Sequence, residues 1–327
     1  MKEVVVISGK GGTGKTSLVA SFATLATTPR AHGTLVAGPV SGVAGDEAGG
    51  SMSGAGAMDL VLADCDVDAP DLHLLLQPEV KETHDFRASR KAAIDVDKCT
   101  GCGLCAAYCR FDAIDGMQVD PLSCEGCGVC YRICPVGAIT MREELSGRWY
   151  VSETRCGPMV HACMEPGEEN SGRLVSIVRR RARELAEERG ADLLITDGPP
   201  GIGCPVISSI SGADLAVVVT EPSVSGVHDL ARVLEVCKHF GVPMLVCINR
   251  YDLHLEGTEA IERECRSRGI TVAGRIPYDP VTTDAIVQGK SVVEFTDGEV
   301  TQAMSMVWER VAAYVRSSAG SEAEGEA

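Results

Sequence analysis

The feature that most constrains the fold is a glycine-rich loop that directly follows a short apolar stretch at residues 3–7. The loop reads Gly9-Lys10-Gly11-Gly12-Thr13-Gly14-Lys15-Thr16, and a helix-forming stretch follows it at residues 17–26. In the pattern G-x-x-x-x-G-K-[ST], glycines let the backbone wrap a polyphosphate, so that its amide groups and the helix N-terminus face the negative charge. We therefore predict a strand, a phosphate loop and a helix in that order.

Each position of this loop has an expected role. Lys15 is predicted to reach the β- and γ-phosphates of a nucleotide, and Thr16 is predicted to bind Mg²⁺. The residues predicted to contact the nucleotide here are Gly9, Gly11, Gly12, Thr13, Gly14, Lys15, Thr16 and Ser17. A glycine-rich turn without a nucleotide is the alternative, and the flanking strand and helix signals argue against it.

Short β-branched apolar stretches recur at residues 60–63, 193–196, 216–219 and 244–248, separated by helix-forming stretches. Their hydrophobicity is continuous rather than alternating, which is typical of strands that are covered on both faces. We predict an α/β fold of the P-loop NTPase type, in which a mostly parallel sheet carries helices on both faces.

Two segments break this rhythm. Residues 29–56 are rich in Gly, Ala and Ser and are predicted to form a flexible loop. Residues 86–141 contain clustered cysteines and glycines, and we interpret them as a small inserted α+β domain. The P-loop domain would then comprise residues 1–85 and 142–316, followed by a tail at 317–327 whose Ser, Gly, Ala and Glu content predicts disorder.

Eight of the 15 cysteines form two runs with the same spacing, C-x₂-C-x₂-C-x₃-C. The runs are Cys99, Cys102, Cys105 and Cys109, then Cys124, Cys127, Cys130 and Cys134. This is the bacterial two-cluster ferredoxin arrangement, in which the fourth cysteine of each run ligates the other cluster. The predicted ligands are Cys99, Cys102, Cys105 and Cys134 for one [4Fe-4S] cluster, and Cys124, Cys127, Cys130 and Cys109 for the other.

The insert is predicted to be an internally duplicated unit because the two runs repeat at a fixed offset. Each run carries two glycines, at 101 and 103 and at 126 and 128, which would let backbone amides face the cluster sulfurs. Zinc is the alternative for these cysteines, although structural zinc favours cysteine pairs with longer spacers. Arg110 stands where the second run has Pro135, and it is either a cation that raises the potential of the nearby cluster or an exposed side chain.

The formal charge of −16 at pH 7 argues against a protein that collects the phosphates of nucleic acid or of an anionic membrane, so neither is expected as a partner. Four arginines between residues 179 and 183 precede Glu184, Glu187 and Glu188, which predicts ion pairs along one exposed helix face. No apolar stretch approaches the roughly 18 to 20 residues of a membrane span, and no signal peptide precedes the first strand. We predict a cytoplasmic protein, in whose reducing compartment 15 cysteines indicate metal ligation.

Lys10 is a second lysine within the phosphate loop, which ordinary loops of this kind lack. The form K-G-G-T-G-K-T resembles the deviant Walker A family of P-loop ATPases, which includes the septum-site ATPase, partition ATPases, the nitrogenase iron protein and iron–sulfur cluster carriers. In that family the extra lysine reaches the phosphates bound by the partner subunit. The resemblance implies ATP as the nucleotide, an ATP-dependent homodimer, and catalytic roles for Lys10 and Lys15. A solvated lysine beside the loop is the alternative.

Further segments resemble the same family. Ala63-Asp64-Cys65-Asp66-Val67-Asp68 is similar to its switch I, in which an aspartate orients the attacking water, and by position we choose Asp66 over Asp64. Residues 194–201 resemble the Walker B strand and switch II, which implies that Asp197 holds Mg²⁺ through water. The residues that resemble adenine-contacting loops are Asn249, Arg250, Pro277, Tyr278 and Asp279.

Seven cysteines lie outside the two runs. Those predicted to be core residues are Cys65, Cys237, Cys247 and Cys265. Cys204 follows Asp197 at the spacing of a cluster cysteine in the nitrogenase iron protein, and Cys163 precedes the intervening helix as the other does. This resemblance implies a third cluster that bridges the dimer, and plain buried or surface thiols are the alternative. Cys156 and His161 lie nearby, and we interpret His161 as a solvated residue of a polar loop rather than a ligand.

Taken with the insert, the chain resembles septum-site-type ATPases that contain a ferredoxin domain. We predict ATP-gated electron transfer that supports iron–sulfur or other metallocofactor assembly, with ATP, Mg²⁺ and two [4Fe-4S] clusters as cofactors. The partner would be a protein that accepts electrons or clusters. The alternatives are an iron–sulfur cluster carrier and a redox-sensing, ATP-dependent switch that acts on a protein partner. Clusters held by four cysteines are poor cargo, because no open coordination position eases their release.

Overall fold

The computed structural model describes residues 1–28, 57–168 and 171–323, and the predicted flexible loop at 29–56 lies outside them. The strands are β1 (Lys2–Ser8), β2 (Leu60–Asp64), β3 (Glu79–Phe86), β4 (Arg90–Ile94), β5 (Ile114–Asp115), β6 (Gln118–Val119), β7 (Ile139–Glu143), β8 (Gly147–Thr154), β9 (Gly157–Met164), β10 (Leu193–Pro200), β11 (Leu215–Thr220), β12 (Met244–Asn249) and β13 (Thr271–Ile276). The helices are α1 (Lys15–Thr27), α2 (Leu72–Leu76), α3 (Leu104–Ala107), α4 (Val129–Ile133), α5 (Ser171–Arg189), α6 (Cys204–Ile210), α7 (Val224–His239), α8 (Leu255–Ser267), α9 (Val281–Val287), α10 (Val292–Phe295) and α11 (Glu299–Ala323).

Nine strands form one sheet in the order β13-β12-β11-β1-β10-β2-β9-β8-β3. Neighbours from β13 to β9 are parallel, which confirms the predicted fold class. The remaining edge departs from the predicted parallel arrangement, because β8 pairs antiparallel with β9, and β3 pairs antiparallel with β8. The outermost strand β3 is charged and largely exposed, which discourages pairing with another chain.

Helices cover both faces of the sheet, as the continuous hydrophobicity of its strands predicts. Val4 and Val6 of β1 pack into a buried cluster with α1 and α11. Val5 and Ile7 point to the opposite face, where α6, α7 and α8 cover them. On that same face α5 packs over β2, β9 and β10. The core is therefore two apolar layers separated by one sheet.

The prediction that the arginines of α5 all lie on an exposed face is wrong. Arg180 and Arg181 do pair with glutamates about one turn further along the helix. Arg179 is instead buried, and its guanidinium donates to the two carboxylate oxygens of Glu3 in β1 at 2.6 and 3.0 Å. Arg183 donates to the same carboxylate at 2.7 Å. The helical period directs positions 179 and 183 toward the amino end of β1, so these arginines link α5 to the sheet.

The insert is built around the antiparallel pair β4 and β7 and two short helices, α3 and α4. Each short helix begins directly after a glycine with positive φ, Gly103 at 71° and Gly128 at 72°. Gly101 and Gly126 repeat the same conformation two residues earlier, at 69° and 63°. The predicted duplication is thus visible as two matching turns, each formed where only glycine adopts the backbone angle without strain.

The insert leaves the large sheet at the carboxyl edge of the parallel strands. Phe86, the last residue of β3, pairs with Gly147, the first residue of β8. Gly147 also pairs with Met164, the last residue of β9, and β9 is parallel to β2. Ligands of open α/β sheets bind at this carboxyl edge, so the insert and the phosphate loop share one edge of the fold.

Helix α11 extends through Ala323, so residues 317–323 continue a helix where the sequence predicts a disordered tail. In the part of the chain that the structure describes, no helix is long and apolar enough to cross a bilayer.

Candidate nucleotide and iron–sulfur sites

The phosphate loop joins the end of β1 to the start of α1. Gly12 and Gly14 have φ values of 75° and 89°, which glycine adopts readily and other residues avoid. A Cβ on Gly14 would also lie 2.5 Å from Nδ2 of Asn249. No side chain caps the N-terminus of α1. The first amide groups of this helix are therefore free to bind an anion.

A cavity of about 610 Å³ opens beside the loop, within the size range of small-molecule sites. The predicted site residues that line it are Gly11, Gly12, Gly14, Lys15, Thr16, Ser17, Asp66, Asn249, Arg250, Pro277, Tyr278 and Asp279. Those absent from the lining are Gly9, Lys10, Thr13 and Asp197. The cavity wall also contains Asp71, Thr282 and Thr283, which no sequence motif indicated. Their sequence signal is weak, because Asp at an N-cap and Thr in the first turn of a helix are ordinary residues for those positions.

Asp197 lies in β10 beneath the phosphate loop and is fully buried. Neither oxygen of its carboxylate has a hydrogen-bond partner among the described residues. Burial raises the pKa of Asp197 to about 7, although the charge of Lys15 opposes the shift. A buried carboxylate without partners is costly, and Mg²⁺ prefers such oxygen ligands. Asp197 and the neighbouring Thr16 therefore fit a magnesium site.

Asp64 and Asp66 have different surroundings. Asp64 is fully buried, and its two carboxylate oxygens accept the amide hydrogens of Asp66 at 3.1 Å and Leu72 at 3.2 Å. Burial, together with the charge of Asp197, raises the pKa of Asp64 well above its usual value. Asp66 is half-buried and lines the cavity, and burial raises its pKa against the effect of Lys15. Asp64 thus organises the turn, and Asp66 is the carboxylate of the pair that lines the cavity.

Lys10 points away from the cavity, toward the end of β11. Its Nζ lies 2.6 Å from Oε1 of Glu221 and donates to the hydroxyls of Ser223 and Ser225 at 2.9 and 3.0 Å. Glu221 also accepts a 3.0 Å hydrogen bond from Arg250, which lines the cavity. The lysine is therefore held by its own chain, and Glu221 connects it to the wall of the nucleotide cavity.

The far wall of the cavity is tied to the phosphate loop. Nδ2 of Asn249 donates to the carbonyl oxygen of Thr13 at 2.8 Å, and Oδ1 accepts the amide of Arg250 at 3.0 Å. In turn, Oδ1 of Asp252 accepts the amide of Tyr278 at 2.7 Å. These bonds hold the loops after β12 and β13 in register with the phosphate loop, as a nucleotide site spanning both requires.

The cysteines of the insert line two separate cavities, each containing residues from both runs. The first cavity has Cys99, Cys102, Cys105 and Cys134 in its wall, and the second has Cys109, Cys124, Cys127 and Cys130. This is the grouping that the spacing of the two runs predicts. The amide of Ala138 donates to the sulfur of Cys134 at 3.3 Å. Four thiols around one enclosed space, with amides aimed at sulfur, fit a [4Fe-4S] cluster.

Among the described residues, no three His, Cys, Asp or Glu side chains are placed to hold a single metal ion.

The cysteines outside the runs fall into two groups. Cys65, Cys237, Cys247 and Cys265 are buried core residues, as predicted. Cys156 is buried as well, with its sulfur 3.9 Å from the hydroxyl of Thr24. Cys163 and Cys204 are exposed, at the end of β9 and the start of α6. A third cluster at these two thiols stays a prediction.

The interpretation of His161 as a solvated loop residue is wrong. His161 lies in β9, is buried, and forms a 2.9 Å hydrogen bond with the hydroxyl of Ser152. Burial lowers its pKa to about 4. The neutral imidazole stacks on Tyr150, with ring centroids 5.0 Å apart, and therefore acts as a core residue.

Residues 92–115 and 117–140 match the family model described as "4Fe-4S binding domain". The chain is 32% identical to the uncharacterized protein MJ0578 of Methanocaldococcus jannaschii over 250 residues, which cover 76% of this chain and 78% of that protein. Its fold is similar to that of the cell division ATPase MinD of Pyrococcus furiosus, with a TM-score of 0.54, 18% identity, and coverage of 95% of this chain and 98% of that one. MinD of Pyrococcus horikoshii, complexed with Mg-ADP, has a TM-score of 0.52, 16% identity and coverage of 95% of each chain. These structures confirm the fold that the phosphate loop predicts.

Proposed function

The chain belongs to the family of MJ0578 and combines the MinD/ParA-type P-loop ATPase fold with two inserted 4Fe-4S binding motifs, and we propose that it is an ATPase whose nucleotide cycle controls electron transfer. The protein acceptor would use these electrons in the assembly of iron–sulfur or other metallocofactors. Nucleotide binding is supported by the lined cavity, the uncapped N-terminus of α1 and the buried Lys15. In this cavity, Lys15 would bind the β- and γ-phosphates of the nucleotide, while Thr16 and Asp197 would hold Mg²⁺.

Hydrolysis requires a group that orients water at the γ-phosphate, and we assign this role to Asp66. Its carboxylate lines the cavity, whereas both oxygens of Asp64 are already engaged with backbone amides. Burial raises the pKa of Asp66, and a carboxylate with a raised pKa accepts a proton from the attacking water more readily.

We propose that Lys10 takes part in ATP-dependent dimerisation. Its side chain is 28% exposed and bonds to Ser223 and Ser225, which flank the 93% exposed Val224 in the sequence. The support for this role is the resemblance of the loop to the deviant Walker A form, in which the second lysine reaches the phosphates bound by the partner subunit. When that copy binds, Lys10 would leave Glu221 and reach the partner's phosphates, which makes the homodimer dependent on ATP.

The insert would supply the redox group. We assign one [4Fe-4S] cluster to the first cysteine cavity and another to the second. Such clusters supply one-electron transfer. The chain positions the sulfur ligands with left-handed glycines and with backbone amides.

A single observation supports coupling between the two sites: a backbone hydrogen bond joins the segment that contains Asp66 to the end of β9, beside the point where the chain returns from the insert. The switch segment that contains Asp66 follows β2, and its Val67 carbonyl oxygen accepts the amide of Met164 at 2.9 Å. Met164 is the last residue of β9 and pairs with Gly147, where the chain returns from the insert. A change in the switch segment therefore has a short route to the insert.

Electron delivery tests this proposal directly. The reconstituted protein, reduced under anaerobic conditions, would be mixed with cytochrome c as a one-electron acceptor, and the reduction of cytochrome c followed by absorbance. We expect the rate with Mg-ATP to differ from the rate with Mg-ADP. The Lys15→Ala variant, with its cysteine cavities intact, should show one rate under both conditions. Equal rates in the unaltered protein would refute control of electron transfer by the nucleotide.

A further inference from the structure

Lys91 lies in β4, the first strand of the insert, and its side chain is only 11% exposed. Its Nζ donates to the carbonyl oxygen of Cys124 at 2.9 Å. The same Nζ lies 3.4 Å from Oε1 of Glu168, whose side chain is 10% exposed. Cys124 belongs to the second cysteine cavity, and Glu168 belongs to the P-loop domain. One ammonium group therefore contacts both domains.

Glu168 lies where the two chain connections of the insert meet. Although burial opposes the shift, the hydroxyls of Ser89 and Ser146, one from each connection, help to lower the pKa of its carboxyl group. These serines also bond to each other, because Oγ of Ser146 accepts the amide of Ser89 at 3.1 Å. The carbonyl oxygen of Ser146 accepts the amide of Glu165 at 3.0 Å. The turn that carries Glu168 thus contacts both chain connections of the insert.

The same turn reaches the nucleotide switch. The amide of Glu168 donates to the carbonyl oxygen of Glu165 at 3.1 Å, so residues 165–168 form a closed turn. The residue before this turn, Met164, donates its amide to the carbonyl oxygen of Val67 at 2.9 Å. Val67 follows Asp66 directly, and Asp66 lines the nucleotide cavity. Five consecutive residues, 164–168, therefore span from the switch segment to Lys91.

We propose that Lys91 and Glu168 are positioning residues that couple the nucleotide site to the second cysteine cavity and set the reduction potential of the cluster it holds. This inference rests on the function proposed above. When the switch segment moves, the turn moves Glu168 relative to Lys91, and the field of this ion pair at the cavity changes. Coupling of this kind is reciprocal, so the redox state must alter ATP affinity by the same factor.

The charges of the pair act in opposite directions. A cation beside the cavity favours the more negative, reduced state of the cluster, and an anion disfavours it. Lys91→Met should therefore lower the potential of that cluster, and Glu168→Gln should raise it. A role limited to holding the two domains together would not produce shifts of opposite sign. In both variants the potential should lose its dependence on nucleotide.

Electrochemical titration of the full chain tests the inference. Both midpoint potentials would be measured by electron paramagnetic resonance, with dithionite as reductant, in Mg-ADP and in a non-hydrolysable Mg-ATP analogue. ATP affinity would be measured for oxidised and reduced protein. A tenfold difference in affinity corresponds to a shift of about 59 mV in a one-electron potential. Arg90→Met is the matched control, because Arg90 neighbours Lys91 but pairs with Glu143 on the surface at 3.2 Å.

The outcomes separate two failures. If the potentials of the unaltered protein do not respond to nucleotide, the proposed function itself fails. If they respond, and Lys91→Met and Glu168→Gln respond equally, only the role of this ion pair is overturned. The inference is supported if Lys91→Met and Glu168→Gln both lose the response to nucleotide and shift the midpoint potential in opposite directions. Arg90→Met should retain the response. Iron content is measured for every variant. Since Glu168→Gln preserves the shape of a residue outside the insert, it decides the outcome if Lys91→Met loses iron.

Discussion

Replacing Asp197 by asparagine should stabilise the nucleotide-free protein at neutral and alkaline pH. The carboxylate is fully buried, and its oxygens have no hydrogen-bond partner among the described residues. Asparagine has nearly the same shape but carries no charge. The substitution therefore removes the cost of burying an ionised group and leaves the packing in place.

The magnitude follows from the pKa. Burial raises the pKa of Asp197 from 3.8 to about 7. A group whose pKa is raised on folding stabilises the folded state at low pH, and this stability is lost as pH rises through the folded pKa. Each pH unit between the two values costs about 1.4 kcal/mol, so the full loss is about 4 kcal/mol. Between pH 5.5 and pH 8 the loss is about 2 kcal/mol, because it ends near pH 7.

Urea unfolding, followed by far-ultraviolet circular dichroism in EDTA, measures this difference. The free energy of unfolding of the unaltered protein should fall by about 2 kcal/mol more than that of Asp197→Asn between pH 5.5 and pH 8. Asp59→Asn, which removes an exposed carboxylate, is the control and should follow the unaltered protein. Mg-ADP should restore stability at pH 8 to the unaltered protein but not to Asp197→Asn. Parallel pH curves for these two proteins would refute a buried, unpaired carboxylate at this position.

Two further predictions concern single residues of each site. Lys10→Ala and Asp66→Ala should each abolish ATP turnover while iron content stays at the level of the unaltered protein, since both residues lie outside the insert; loss of iron would contradict their assignment. Gly126→Ala would place a Cβ 2.0 Å from the carbonyl oxygen of Arg90 and should lower iron content. A Cβ at Gly128 has similar backbone strain but meets no atom within 4 Å. If Gly128→Ala lowered the iron content more than Gly126→Ala does, the packing argument would be contradicted.

Local constraints explain why the fold around the phosphate loop could be predicted from the sequence. The glycines of the phosphate loop, the helix after it and the apolar strands depend on neighbours in the chain, so their residue types indicate the structure. The two cysteine runs are local in the same sense, and the observed grouping of Cys134 with Cys99 and of Cys109 with Cys124 matches the spacing rule. The sequence favours Asp66 over Asp64 by position alone, and the place of Asp66 in the cavity wall supports that prediction.

Long-range contacts explain what the sequence analysis missed. Glu221, which forms an ion pair with Lys10, lies 211 positions after it in the chain, and the sequence around Glu221 gives no sign of this pairing. Arg179 reads as part of a charged run, but its buried position depends on Glu3 in a distant strand. His161 reads as a loop residue because local hydrophobicity does not reveal that its strand, β9, pairs antiparallel with β8. In each case the decisive partner is distant in sequence.

ATP turnover in two redox states tests the central claim most directly, namely that the nucleotide site and the insert act together. The iron-reconstituted protein would be assayed under anaerobic conditions, first oxidised and then reduced, beside a cluster-free sample. We expect the rate to change when the reconstituted protein is reduced, and the same reductant should leave the rate of the cluster-free sample unchanged. An identical rate in both redox states would contradict the account, because the insert would then have no influence on the nucleotide cycle.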